Sequence, residues 1–254
     1  MHPLLKTIQM REDSAKPTIL FLGDSITASG EYIRYTRGWL GTYRPDINAE
    51  LIGLGLPSET ASGLSEPAHP FPRPCIHDRL ESALEANPAD IVVACYGMND
   101  GIYHPFSEER FAAYREGMLR LGRRIRDTGA AVVFMTPPPF DAASSTVPLV
   151  PEDASDFSYL TPYREYDRVL ERYAGWLLSG ECLADAIIDL RTPLLEHIRR
   201  ERALDPEYRS GDGIHPNPAG HRVMAQTLLS ELFCAEAEMA ELEEIGRLDA
   251  DNAD

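Results

Sequence analysis

Short runs rich in apolar residues alternate along the chain with longer stretches in which apolar residues recur every three or four positions. The runs fall at residues 18–22, 48–54, 90–95, 130–135 and 186–189. They read as strands, and the run at 90–95, continuously apolar, has the pattern of a strand covered on both faces. Between them, residues 30–44 place Tyr32, Ile33, Tyr35, Trp39, Leu40 and Tyr43 at roughly helical spacing, and Pro45-Asp46 ends the stretch. Pro74 suits the first turn of a helix reaching residue 86. From Ser107 a long helix is predicted, with Glu108 and Glu109 in its first turn and Arg123, Arg124 and Arg126 in its last, an order that complements the helix dipole. Its inward stripe is Phe111, Tyr114, Met118, Leu121 and Ile125. Thr161-Pro162 reads as the cap and first position of a helix to residue 179, whose Tyr163, Tyr166, Tyr173 and Trp176 stripe belongs to the core. Thr192-Pro193 and Asn217-Pro218 begin two more helices. Strands alternating with helices imply an α/β fold, a largely parallel sheet of about five strands with helices on both faces and right-handed crossovers.

The remaining segments have no period. Residues 1–16 are a polar lead-in, and residues 63–74, crowded with Pro67, Pro70, Pro72 and Pro74, form a stiff surface loop. Residues 140–160 are a loop of a length usual for a lid, a binding loop or a disordered segment. Beyond Phe233 the chain turns acidic, and residues 247–254 are expected to fray. The expectation is one domain over residues 17–246, which 254 residues at 43% hydrophobic content can support.

Charge narrows the partners. A formal charge of −17 argues against nucleic acid, anionic membrane surfaces and polyanionic substrates, all of which call for clustered positive charge. With no apolar run of membrane-spanning length and no secretory core at the start, a soluble, cytoplasmic protein is expected. Cys75, Cys95, Cys182 and Cys234 are widely spaced, which suggests reduced thiols rather than a redox pair or a zinc knuckle.

Several predicted strands end in polar or glycine turns that a parallel sheet brings to one edge. The first is Gly23-Asp24-Ser25-Ile26, and a serine there stands in the crevice where ligands bind such sheets. Capping of the next helix is the commoner job for Asp24 or Ser25. Downstream, Gly211-Asp212-Gly213-Ile214-His215 supplies a histidine, the usual general base near neutral pH, with an acid close enough to fix its tautomer. Ser25, Asp212 and His215 would then form a hydrolytic triad. Donors for a developing oxyanion are the N–H of Ser25, the N–H of Gly55 and the Asn99 amide.

Taken together, these blocks resemble the SGNH, or GDSL-type, hydrolases. Gly23-Asp24-Ser25-Ile26 is similar to the first block, Gly55 to the second-block glycine, Gly97-Met98-Asn99-Asp100 to the GxND block and Asp212-Gly213-Ile214-His215 to the DxxH block. They occur in order over residues 23–215. The resemblance implies a flavodoxin-like three-layer α/β/α fold and a serine esterase without cofactor or metal, acting on a small-molecule ester through an acyl-enzyme. It assigns Ser25 as nucleophile, His215 as base, Asp212 as its partner, and Ser25, Gly55 and Asn99 as the oxyanion hole. Two departures stand out: Ile26 replaces the common leucine, and Gly53-Leu54-Gly55-Leu56-Pro57-Ser58 replaces Asn-x-Gly-x-x-Gly. The segments 54–60 and 103–106 are similar to members acting on small acyl esters, including acetylated sugars. The substrate pocket is expected to draw on Met98, Tyr103, His104, Phe106, Phe140 and the rest of the 140–160 loop.

Other readings compete. Gly53-x-Gly55-x-x-Ser58 superficially matches a dinucleotide fingerprint, but Pro57 and the lack of an immediate helix weigh against it. Asp212, His215 and His221 lack the further ligands a metal would want. The same triad could serve a lysophospholipase, thioesterase or acyltransferase, and a silent carbohydrate-binding module is the non-enzymatic alternative. Four complete blocks favour the enzyme, since binding alone needs no nucleophile and base.

Overall fold

The computed structural model describes residues 16–251. The lead-in, Lys16 apart, and residues 252–254 of the expected tail lie outside the described residues.

Five parallel strands make one sheet in the order β2-β1-β3-β4-β5. They are β1 (Thr18–Gly23), β2 (Glu50–Gly55), β3 (Ile91–Cys95), β4 (Ala131–Met135) and β5 (Ala186–Ile188), each within two residues of its predicted start. β1 and β3 are central, and Ile19, Leu20, Phe21, Leu22, Ile91, Val92 and Val93 have no exposed surface. This is why those runs are apolar throughout rather than alternating.

After β1 come a short helix α1 (Ser25–Ala28) and α2 (Glu31–Tyr43). Then follow α3 (Ile76–Ala86), α4 (Glu108–Asp127), α5 (Asp167–Leu178), α6 (Arg191–Leu204), α7 (Pro218–Phe233) and α8 (Met239–Asp251). Helices α2, α6, α7 and α8 pack together in one layer. In the other layer α3 meets α4, and α4 meets α5 through stacked Tyr114 and Tyr173 rings 4.4 Å apart. The three-layer α/β/α arrangement is therefore present. Among the described residues no helix is long and apolar enough to cross a membrane.

Three helix expectations need correction. The helix expected at residue 161 starts at Asp167, because residues 161–164 bond to other loops: Tyr163 N–H donates to Tyr103 O and Arg164 N–H to Val150 O. The helix expected at Pro74 starts at Ile76, because Pro74 O and Ile76 N–H both pair with Thr60. The acidic stretch beyond Phe233, for which no helix was expected, forms α8, held by buried Leu242 and Ile245 and by Trp39 Nε1–H on Glu241.

Candidate active site

Strand order reverses between β1 and β3, so the chain leaves their carboxyl ends in opposite directions and opens a crevice. β1 delivers Asp24-Ser25 there and β3 delivers the turn 96–103. Asp24 caps α1, accepting the Ile26 N–H at 2.9 Å, and so does the work that the capping reading reserved for this pair. Ser25, first in the helix, is left with its hydroxyl 2.8 Å from His215 Nε2.

His215 is held by its own loop. Asp212 Oδ1 accepts the N–H groups of Ile214 (2.9 Å) and His215 (2.7 Å), folding the loop so that Oδ2 accepts from His215 Nδ1 at 2.8 Å. The carboxylate can only accept, so Nδ1 carries the hydrogen and Nε2 of the neutral ring is free to take the Ser25 proton. Gly211 closes the loop at φ 145, where a side chain would strike the His215 carbonyl. The start of the 140–160 loop props it from below, Asp141 N–H donating to Gly213 O and Thr146 N–H to Asp212 O. Burial works against ionisation of Asp212, but the hydrogen bonds from His215 and Ile214 outweigh it and bring its pKa to about 2. The bond to Asp212 in turn raises the pKa of His215 against the opposing effect of burial. Burial pushes Asp24 the other way, up to about 7.

Opposite the histidine lies Asn99. Its Oδ1 accepts from Arg73 Nη1 (3.0 Å) and from the Tyr103 hydroxyl (2.9 Å), which forces the amide nitrogen the other way, where one hydrogen meets Glu59 O at 3.2 Å. Tyr103 reaches Asn99 because Ile102 and Tyr103 both take left-handed backbone angles, φ 46 and 60. Arg73 is itself clamped by Glu66 through two 2.6 Å bonds, with 1% and 0% of their side chains exposed.

Gly55 is a correction. It is absent from the cleft lining, and the Leu56 N–H bonds Gly23 O of β1, so the Gly55 N–H, one residue earlier, faces the open edge of the sheet. Its missing side chain serves another purpose: a Cβ would lie 2.1 Å from Ala28 N of α1. Ser58, three residues on, does line the cleft and sits at φ 66. Among the described residues neither the Ser25 N–H nor the Ser58 N–H has a hydrogen-bond partner.

The cleft holds about 340 Å³ and is lined by Ser25, Asn99 and His215 together with Ser58, Arg73, Tyr103 and an outer wall from both long loops. Of the residues expected singly only Tyr103 lines it, and of the 140–160 loop, also expected there, Tyr159 does. Met98 is buried and holds the Tyr166 hydroxyl on its carbonyl, Phe140 packs edge-on against Tyr166, His104 against Phe157, and Phe106 against Phe111. The unforeseen wall is the proline-rich loop, which contributes His69, Pro70, Phe71 and Arg73. Sequence reasoning missed Ser58, although a residue at the last position of a block that usually ends in glycine was a signal. For Arg73 and His69 no local signal existed.

These atoms can remove a proton from Ser25 and offer N–H groups to a negative charge developing beside it. A family model described as GDSL-like Lipase/Acylhydrolase matches residues 21–223. No curated protein matches the chain. Among solved structures, a gut microbial diltiazem-metabolizing enzyme superposes with TM-score 0.66 at 18% identity over 85% of this chain, which spans about half (46%) of that protein. Axe2, an acetylxylan esterase from Geobacillus stearothermophilus, gives 0.61 at 20% identity, covering 85% of this chain and 94% of that one. LAE5, an alpha/beta hydrolase enzyme from the metagenome of Lake Arreo, Spain, gives 0.59 at 17%, covering 88% and 98%. At such identities the likeness is one of fold.

Proposed function

Because the chain belongs to the GDSL-like lipase/acylhydrolase family, we propose that it is a serine esterase that hydrolyses small acyl esters, acetyl esters first among them, through an acyl-enzyme. The observation that carries this reading is the chain of two 2.8 Å hydrogen bonds from Ser25 Oγ through His215 to Asp212, opening into a cleft. Ser25 Oγ attacks the ester carbonyl as its proton passes to His215 Nε2. The tetrahedral oxyanion is met by the N–H groups of Ser25 and Ser58 and by the second hydrogen of the Asn99 amide. His215 then protonates the departing alcohol, and water, deprotonated by the same nitrogen, releases the acid. The fold shared with an acetylxylan esterase supports a small acyl group.

The test is hydrolysis of p-nitrophenyl acetate, butyrate and octanoate by the wild type and Ser25→Ala. The expected result is activity falling with chain length and a loss on the order of 10⁶ in the variant. Equal activity in both proteins removes Ser25 from the reaction.

A further inference from the structure

The cleft contains a second serine–histidine pair. Ser58 Oγ lies 3.1 Å from His69 Nε2, and His69 Nδ1 lies 2.6 Å from the Phe71 carbonyl. A carbonyl oxygen only accepts, so Nδ1 carries the ring hydrogen and Nε2 of the neutral ring is an acceptor. The Ser58 hydroxyl must therefore donate to it. Its own lone pairs remain, on a residue that lines the same cleft as Ser25 and Asn99. Ser58 also occupies a left-handed backbone position, φ 66, where glycine would be unstrained. With its one hydrogen already spent, the Ser58 hydroxyl is an acceptor in the cleft that holds Ser25.

The direction in which it acts follows from the wall behind it. The His69 ring packs edge-on against Phe71 at 4.6 Å and lies 5.3 Å from Tyr159, and Phe71 is 53% exposed. The exposed Phe71 puts this wall at the solvent side of the cleft, where there is room for a leaving alcohol that carries further polar groups. Arg73 offers nothing to an anionic alcohol portion, since Glu66 already neutralises it. We propose that Ser58 Oγ, oriented by His69, accepts a hydrogen bond from a free hydroxyl on the alcohol portion, so that the preferred substrates are partly acylated polyols, sugars included. This rests on the Ser25 esterase reading and specifies its substrate class.

The test compares kcat/KM for glycerol 1-acetate, which carries a neighbouring hydroxyl, with propyl acetate, which does not. The wild type should favour the hydroxyl ester by about tenfold, the worth of one well-placed hydrogen bond. Ser58→Gly suits the backbone angle and keeps the N–H, so it should bring the ratio close to one, whatever happens to the absolute rates. His69→Phe keeps a ring between Phe71 and Tyr159 but frees the Ser58 hydroxyl, and should lower the ratio as well. A wild-type ratio near one overturns the proposal even if neither variant folds, and so does a ratio unchanged in Ser58→Gly. If wild type and Ser25→Ala hydrolyse p-nitrophenyl acetate equally, the underlying esterase reading has failed and the proposal falls with it. If only the ratio fails, the esterase stands and its alcohol is not a polyol.

Discussion

In the proposed mechanism His215 must be neutral to take a proton from Ser25, so activity should rise with pH through its raised pKa. The carboxylate of Asp212 is what raises it. Asp212→Asn takes that charge away, which should move the acid limb of kcat/KM to lower pH while the plateau falls by about 10⁴ through loss of the tautomer. A pH–rate profile of the variant decides this; a limb that stays in place or moves to higher pH contradicts the assignment. Gly55 and Ser58 show how single residues mislead when read by type. Glycine invites the inference of close approach to a ligand, and Gly55 does allow a close approach, but to the backbone of α1. The left-handed angle that glycine usually serves falls at Ser58 instead.

At the level of elements, the two loops without periodicity prove to be one construction. Glu66 Oε1 binds Arg73 and also receives the Tyr159 N–H at 3.4 Å, so a buried ion pair ties the proline-rich loop to the 140–160 loop. Arg73 then reaches Asn99 Oδ1, which makes it a positioning residue for the amide. Replacing it by Met should lower kcat with little change in KM, by at most the roughly 10²–10³ that one oxyanion donor carries. The loss should be non-additive with Asn99→Ala in a double-mutant cycle. Stability should also fall by about 3–5 kcal/mol, because Glu66 is left buried without a counter-charge, and thermal unfolding measures that part separately. Equal additive losses would mean that Arg73 supports only the loops. The proline spacing revealed a stiff loop; it could not reveal that Arg73 turns inward, because Arg73 and Asn99 are twenty-six residues apart.

At the scale of the molecule, the site lies at the carboxyl ends of the central strands β1 and β3, while α8 packs over α2 and α7. Leu242 has no exposed surface. Leu242→Ala should therefore cost about 2–5 kcal/mol of stability and leave p-nitrophenyl acetate turnover at moderate temperature unchanged, as thermal melts and assays on one preparation would show. A fall in turnover without a fall in melting temperature would tie α8 to the site. Helix α8 escaped the sequence reading because its inward residues, Met239, Leu242 and Ile245, are sparse among acidic neighbours. Its helicity depends on α2 being there to receive them.

The order of residues alone was enough for the alternation of strands and helices, the parallel sheet and the blocks carrying Ser25, Asn99, Asp212 and His215. Each of these depends on short-range periodicity or on a turn whose chemistry is local. Which N–H faces the cleft, which loop walls it and where Arg73 and His69 point were settled by folding. Those features arise from contacts between residues far apart in the chain, and their geometry exists only once the sheet and both loops have closed around them.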